Sequence, residues 1–299
     1  MKKPIIKKKF KITLLVLLIV SIVSYVSSFV VLYNGDYRLS NYKEEFKDVF
    51  GSYPTVDFFN FSTWGDSHYF NNTITHTNDD NIKTVHINTV SSNIRITTDR
   101  NNLFTATYSG NSSIDGQGAS DGFVFNDKEK TLTIGMNDSE KKIFNGDIEL
   151  SIPSNFKGNI VVNTVSGSTQ IDNISCNNLT VKSVSSDIEL QNKTMISNEL
   201  NIYSTSGSID VYPPVECKVS KLKTVSGDID AALSNKSTSL ESSSTSGDIS
   251  IDNCTSLSDY SFDLKSKSGI IHSNNIELKK GNGDVKINAS TISGDINLN

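Results

Sequence analysis

Aspartate is the residue whose placement in this chain most resembles chemistry. Asp147, Asp228, Asp248, Asp284 and Asp295 fall at corners of a recurring motif, and a file of carboxylates can hold Ca²⁺ or supply the acid and base of glycoside cleavage. The GNGD at Gly281–Asp284 has the lettering of calcium-binding glycine repeats. The simpler reading is that a turn aspartate accepts backbone N–H groups. That reading is the expected one, since glycan cleavage shows paired carboxylates, or a base beside calcium ligands, on one face, whereas these acids recur at corners.

Histidine adds little. His68, His76, His86 and His272 lack metal-ligand spacing, and His86, between Val85 and Ile87, is placed to point outward from a strand. The serines sit at corners, which accounts for them structurally, and no histidine or aspartate stands at a triad-like spacing from them. No catalytic, cofactor-binding or metal residue is assigned, no cofactor is expected, and the chain is not read as an enzyme.

The elements that position these residues come from an internal repeat. Taking the serine of each Ser-Gly or Ser-Ser corner as zero gives Ser91, Ser166, Ser185, Ser206, Ser226, Ser246, Ser268 and Ser293. From Ser166 onward the gaps are 19, 21, 20, 20, 22 and 25 residues. At −6 and −4 stand pairs such as Val85 and Ile87, Leu179 and Val181, Leu200 and Ile202, and Ile287 and Ala289. At +3 and +5 stand Ile94 and Ile96, Ile188 and Leu190, Ile209 and Val211, Ile249 and Ile251, and Ile296 and Leu298. Ser220, Ser242, Thr169 and Ser273 break the apolar rule.

Each arm alternates as a strand with one buried face does. Positions −4 and +3 are seven apart, so in one straight strand they would face opposite ways. If both face one core, the chain turns a corner between them, and glycine tolerates the positive φ that such a corner often needs. Ser166, Gly167, Ser206, Gly207, Ser226, Gly227, Asp228, Ser246, Gly247, Asp248, Ser293, Gly294 and Asp295 are assigned as structural corner residues. Asp187 belongs to the same set of backbone acceptors. Threonine and serine at −2 and zero are placed to form hydrogen-bonded ladders.

The expected fold is therefore all-β: a β-solenoid of about 20-residue coils stacked at roughly 4.8 Å. A meander of hairpins turning at each Ser-Gly is the alternative. Cys176, Cys217 and Cys254 fall ten, eleven and eight residues past their corners, on alternate coils. Two coil steps, roughly 9.6 Å, exceed the roughly 7 Å that a disulfide spans between Cα atoms. Three reduced, mostly buried thiols are predicted.

Lys2, Lys3, Lys7, Lys8, Lys9 and Lys11 crowd a basic tip at 1–11, and residues 12–33 carry no charge. Twenty-two uncharged residues, dominated by Leu, Ile and Val, span roughly 30 Å of hydrocarbon, and the basic flank predicts a cytoplasmic N-terminus. A cleaved signal peptide is the competing reading, with Ser24, Ser27 and Ser28 as small residues near a cleavage point. Both readings export the rest, which holds all 33 acids against 22 bases. Such a surface has no footprint for nucleic acid. Residues 34–82, rich in Asn and aromatics, are read as a membrane-proximal segment with a short helix near 42–50. Residues 83–299 form one domain, with irregular opening coils at 83–158 and regular repeats at 159–299. The rings of Phe58–Trp64 are expected to pack on the first coil, with a sugar-binding platform as the alternative.

The corners TVSGS at 164–168, TVSGDI at 224–229, STSGDI at 244–249 and TISGDI at 291–296, with IELSIPS at 148–154 ahead of them, resemble a known group. This is the family of bacterial β-strand-repeat domains of unknown function, labelled adhesin-like and related to exported envelope-stress proteins of Gram-positive bacteria. The resemblance implies a β-solenoid-like fold and a place in the envelope, and it carries no catalytic residues. Three functional readings follow. The first is a single-pass, membrane-anchored surface interaction or scaffold module outside the cytoplasm, meeting an envelope protein or a wall glycan. The second is an accessory sensor of envelope stress, coupled through residues 12–33. The third is a glycan-active enzyme. The chain ends on a repeat, so the Ser293 coil is expected at the end of the stack, free to associate end to end with a second copy.

Overall fold

The computed structural model describes residues 68–78, 81–112, 123–135, 144–234, 236–252, 260–273, 283 and 285–299. The predicted helices at 12–33 and 42–50, the rings of Phe58–Trp64, Cys254 and Asp284 lie outside them. The chain divides into two compact units at residues 66 and 67, and the second is described here. Among the described residues no helix is long and apolar enough to cross a membrane.

Among the described residues nineteen strands follow one another. The opening seven are β1 (His68–Thr77), β2 (Thr84–Asn88), β3 (Ser91–Asp99), β4 (Leu103–Ser112), β5 (Phe123–Asn126), β6 (Thr131–Gly135) and β7 (Phe144–Pro153). Next come β8 (Asn159–Asp172), β9 (Ser175–Gln191), β10 (Met195–Tyr203), β11 (Ile209–Val211), β12 (Glu216–Lys223) and β13 (Ile229–Ala232). The remainder are β14 (Ser239–Ser243), β15 (Ile249–Asp252), β16 (Tyr260–Ser266), β17 (Ile271–Ser273), β18 (Val285–Thr291) and β19 (Ile296–Leu298).

Parallel pairing between successive arms makes this a stack of coils and excludes the hairpin meander. β8 and β9 each run through their corner as one strand and pair in unbroken 19-residue register from Asn159↔Asn178 to Asp172↔Gln191, with only the −1 residues of the two corners unpaired between Thr164↔Ser183 and Ser166↔Ser185. From β10 onward the corner divides each coil into two strands. β10, β12 and β14 form one wall, and β11, β13 and β15 the other. The return half of the coil also pairs: Ile196 lies between Cys176 and Cys217, after which a bulge before Glu199 shifts the register.

Four files of side chains fill the interior, as alternation on both arms requires. The +3 file, read along the stack, is Ile148, Ile94, Thr169, Ile188, Ile209, Ile229, Ile249, Ile296 and Ile271. All but Ile271 are buried. The −4 file includes Val162, Val181, Ile202 and Leu222 and is buried likewise. Burying one such side chain stabilises by about 1.5–3 kcal/mol. Of the exceptions, Thr169 and Ser242 are fully buried with hydroxyls that find no partner, a polar cost inside an apolar file.

Stack order departs from chain order at both ends, and this corrects the expectation that the Ser293 coil is outermost. β18 and β19 lie between β14/β15 on one side and β16/β17 on the other. At the opposite end, β2/β3 lie between β6/β7 and β8. That end carries an antiparallel cover: β4 pairs with β7 and β1 with β4. β5 pairs antiparallel with β6 through a turn at residues 127–130. Phe104 and Phe156 meet edge to face beneath it, ring centroids 5.4 Å apart.

Candidate functional site

The corner repeats one set of bonds from coil to coil. At −2 stands a buried hydroxyl: Thr89, Thr164, Ser183, Ser204, Thr224, Ser244 or Thr291. In the early corners it bonds locally, Thr89 to Ser92 Oγ and Thr164 to Ser166 O, whereas in the later ones it bonds across the coil boundary to the carbonyl of the +1 residue in the neighbouring corner. Thr224 donates to Gly207 O (3.1 Å), Ser244 to Gly227 O (3.1 Å), Thr291 to Gly247 O (3.0 Å) and Ser266 to Gly294 O (2.8 Å). Within its own corner the same oxygen accepts a backbone N–H: Gly207 N donates to Ser204 Oγ and Gly269 N to Ser266 Oγ, both at 2.9 Å. At position zero, Ser166 and Ser268 donate to the carbonyls of Val90 and Ile292.

Glycine at +1 is required mostly by contact, not by torsion. Only Gly167 has a positive φ, at 110°. A Cβ on Gly207 would stand 1.9 Å from Ser186 O, on Gly247 2.0 Å from Gly227 O, and on Gly294 2.2 Å from Gly247 O. The coils approach backbone to backbone here, and a methyl group cannot enter. The expected reason, a positive φ, holds among these corner glycines at Gly167 alone.

The +2 carboxylates are engaged in the same way. Asp187 accepts from Ser208 N at 2.9 Å, Asp228 from Asp248 N at 2.8 Å, Asp248 from Asp295 N at 2.7 Å and Asp295 from Ile270 N at 2.7 Å. Each acid bonds the neighbouring coil, not its own turn. Among the described residues no three His, Cys, Asp or Glu side chains gather as metal ligands. His86 is half-buried between Val85 and Ile87. His272 Nε2 lies 3.9 Å from Asp295 Oδ2.

Two rows flank the corner. One occupies −1, where Val184, Val225 and Ile292 are 46%, 49% and 50% exposed and alternate with exposed Thr205 and Thr245. Alternation along the −6/−4 arm could have found this row, since −1 lies three residues from −4 and so faces away from the core side of that arm. The other row is acidic: Glu189, Asp210 and Asp230 pair side by side at +4, next to the +2 aspartates. Burial first, then Asp230 and Glu189, raise the Asp210 carboxyl above its ordinary range. Burial, then Asp228, Asp252 and Asp248, do the same to Asp230. The other wall is neutralised by coil-to-coil ion pairs, Lys221 with Glu199 at 2.7 Å and Lys223 with Glu241 at 2.5 Å.

Cys176 and Cys217 are reduced and buried, with Ile196 between them. Burial pushes the Cys176 thiol up to about 12 and also raises that of Cys217. One further motif, Gly118-Ala119-Ser120-Asp121-Gly122, has the lettering of a nucleophile elbow. It falls outside the described residues, between β4 and β5.

A parallel stack of coils tied by Ser/Thr, Gly and Asp corners defines the class: an all-β strand-repeat domain. The chain belongs to the Toastrack DUF4097 family, a domain of unknown function whose family model matches residues 57–299. Among similar solved structures, one titled "putative cell adhesion protein" from Clostridium sporogenes is 12% identical, covering 77% of this chain and 99% of its own at a TM-score of 0.39. A "putative adhesin" from Bacteroides fragilis is 15% identical, covering 77% and 97% at 0.40. A "Putative lipid binding protein" from Parabacteroides distasonis is 16% identical, covering 79% and 98% at 0.38. No curated protein matches the chain.

Proposed function

We propose that this chain is a non-enzymatic interaction or scaffold module of the cell envelope, anchored by residues 12–33 with its β domain outside the cytoplasm. One observation carries the reading: the corner hydroxyls and carboxylates that could do chemistry hold coil to coil, while the residues left facing solvent form regular rows. A row repeating every coil at about 4.8 Å suits an extended partner. The family match and the adhesin titles of similar structures agree with a surface role.

The test replaces residues 1–34 with a cleavable signal and retethers the β domain by an unrelated anchor. A surface module keeps its cell-surface binding. Loss of function on retethering, with the domain folded and displayed, would favour a sensor coupled through the helix. Release of fragments from wall polysaccharide by the purified protein with calcium would overturn the non-enzymatic reading.

A further inference from the structure

Residues 285–299 are seated between two coils that both precede them in sequence, and the chemistry of that seat is not unique to them. β18 and β19 take Gly247 O and Asp248 Oδ1 as acceptors from below, through Thr291 and Asp295 N. From above, Ser266 and Ile270 N bond to Gly294 O and Asp295 Oδ1. The acceptors that the inserted coil offers upward are thus the ones that the coil beneath already has. If 285–299 withdraw, the Ser268 coil can settle on the Ser246 coil through the same two bonds. The spacing agrees: these two corners are 22 residues apart, within the ordinary period, whereas Ser268 and Ser293 are 25 apart.

The seat is also weakly filled in one file of the interior. In the −4 file the inserted coil contributes only Ala289, which pairs with Ser242, whose buried hydroxyl has no partner. Elsewhere that file is valine, leucine and isoleucine. A short side chain over an unpaired hydroxyl gains little from burial. Withdrawal nonetheless exposes Ile287, Ile296 and Leu298, all buried when seated, so the released strands need another seat.

We infer that residues 285–299 are an exchangeable strand pair, inserted in cis in one copy and able to insert in trans between β14/β15 and β16/β17 of a second copy. The occupant is the same segment of a second copy, which brings a hydroxyl at −2, a Gly at +1 and an Asp at +2 in register with apolar residues on both arms. Contacts in cis and in trans are identical, so the balance rests on protein concentration and on the tether, residues 274–284.

Directly paired residues allow the exchange to be trapped in the full chain, solubilised in detergent. Ser250 and Asn297 are parallel neighbours, at a separation suited to a disulfide. With Cys254→Ser in every variant, S250C and N297C are unfolded together, refolded as a mixture and oxidised. Exchange yields a disulfide-linked heterodimer that neither variant forms alone, and the S250C/N297C double variant yields an internal bridge. A double variant that bridges internally while the mixture yields no heterodimer overturns the exchange. Ser243 and Ser290, also paired, supply a second set, S243C and S290C, should the first not fold. If neither double variant bridges internally, the insertion itself is overturned.

Discussion

The hydroxyl of Thr291 donates to the carbonyl of Gly247 at 3.0 Å, across 44 residues of chain. The intervening corner at Ser268 lies one coil further out, where Ser266 repeats the bond onto Gly294. One pair of atoms thus fixes both the chemistry of the corner and the order in which coils stack.

Gly247→Ala should be severely destabilising, because its methyl group would meet Gly227 O at 2.0 Å and that atom belongs to rigid backbone. We expect a loss of about 3 kcal/mol, read as a lower midpoint of chemical denaturation. Val225→Ser, two residues before Gly227 but on the exposed row, should stay within about 0.5 kcal/mol of the parent.

Thr224→Val keeps shape and removes the hydroxyl that donates to Gly207 O. A buried carbonyl loses a partner, at about 1–2 kcal/mol. Thr224→Ser, which retains the donor, should recover most of that loss in the same denaturation assay.

Ser242→Ala acts in the opposite sense. Its buried hydroxyl has no partner, so deleting it relieves a desolvation cost and should raise stability by about 1 kcal/mol. Ile229→Ala, in the middle of the +3 file, should lower it by about 2–5 kcal/mol through lost burial and the cavity left behind.

Acid should stabilise one wall of the stack. Asp210 and Asp230 have folded-state pKa values raised above 3.8, so the folded chain binds protons that the unfolded chain does not. Their contribution at neutral pH is unfavourable; it is relieved as pH falls through the raised values and is fully gone below 3.8. Asp210→Asn should therefore raise the neutral-pH midpoint and flatten its rise towards weak acid. Added salt should mimic part of this effect by screening Glu189, Asp228, Asp248 and Asp252.

Cys176 and Cys217 should resist alkylation in the native protein and react once it is unfolded, since both thiols are buried with raised pKa values. Peptide mapping of a Cys254→Ser variant reads this directly. A Cys176 to Cys217 bridge found by mass spectrometry would contradict the pairing of both with Ile196.

Much of the fold is legible in the spacing of Ile, Val and Leu about each corner. Alternation on both arms requires a bend, and a steady period requires like residues to stack; Ile188, Ile209, Ile229 and Ile249 do so in register. Coil order is not legible in the same way, because Thr, Gly and Asp make the same bonds whichever coil lies beside them. The long gap before Ser293 and the 75 residues between Ser91 and Ser166 are the only traces of the two interleaved ends. The acidic row is legible by the same rule, since Glu189, Asp210 and Asp230 share position +4 of three successive corners; what the spacing does not carry is how far burial and the neighbouring carboxylates perturb them.

Interleaving also sets a timetable for folding. A stack assembled strictly in order could grow coil by coil as the chain emerges, each new turn docking on a finished edge. Here Val285–Leu298 emerges after both of its neighbours, so β16 and β17 must wait apart, or be prised apart, until it arrives. That end of the molecule should mature late, and a holding factor would find its client there.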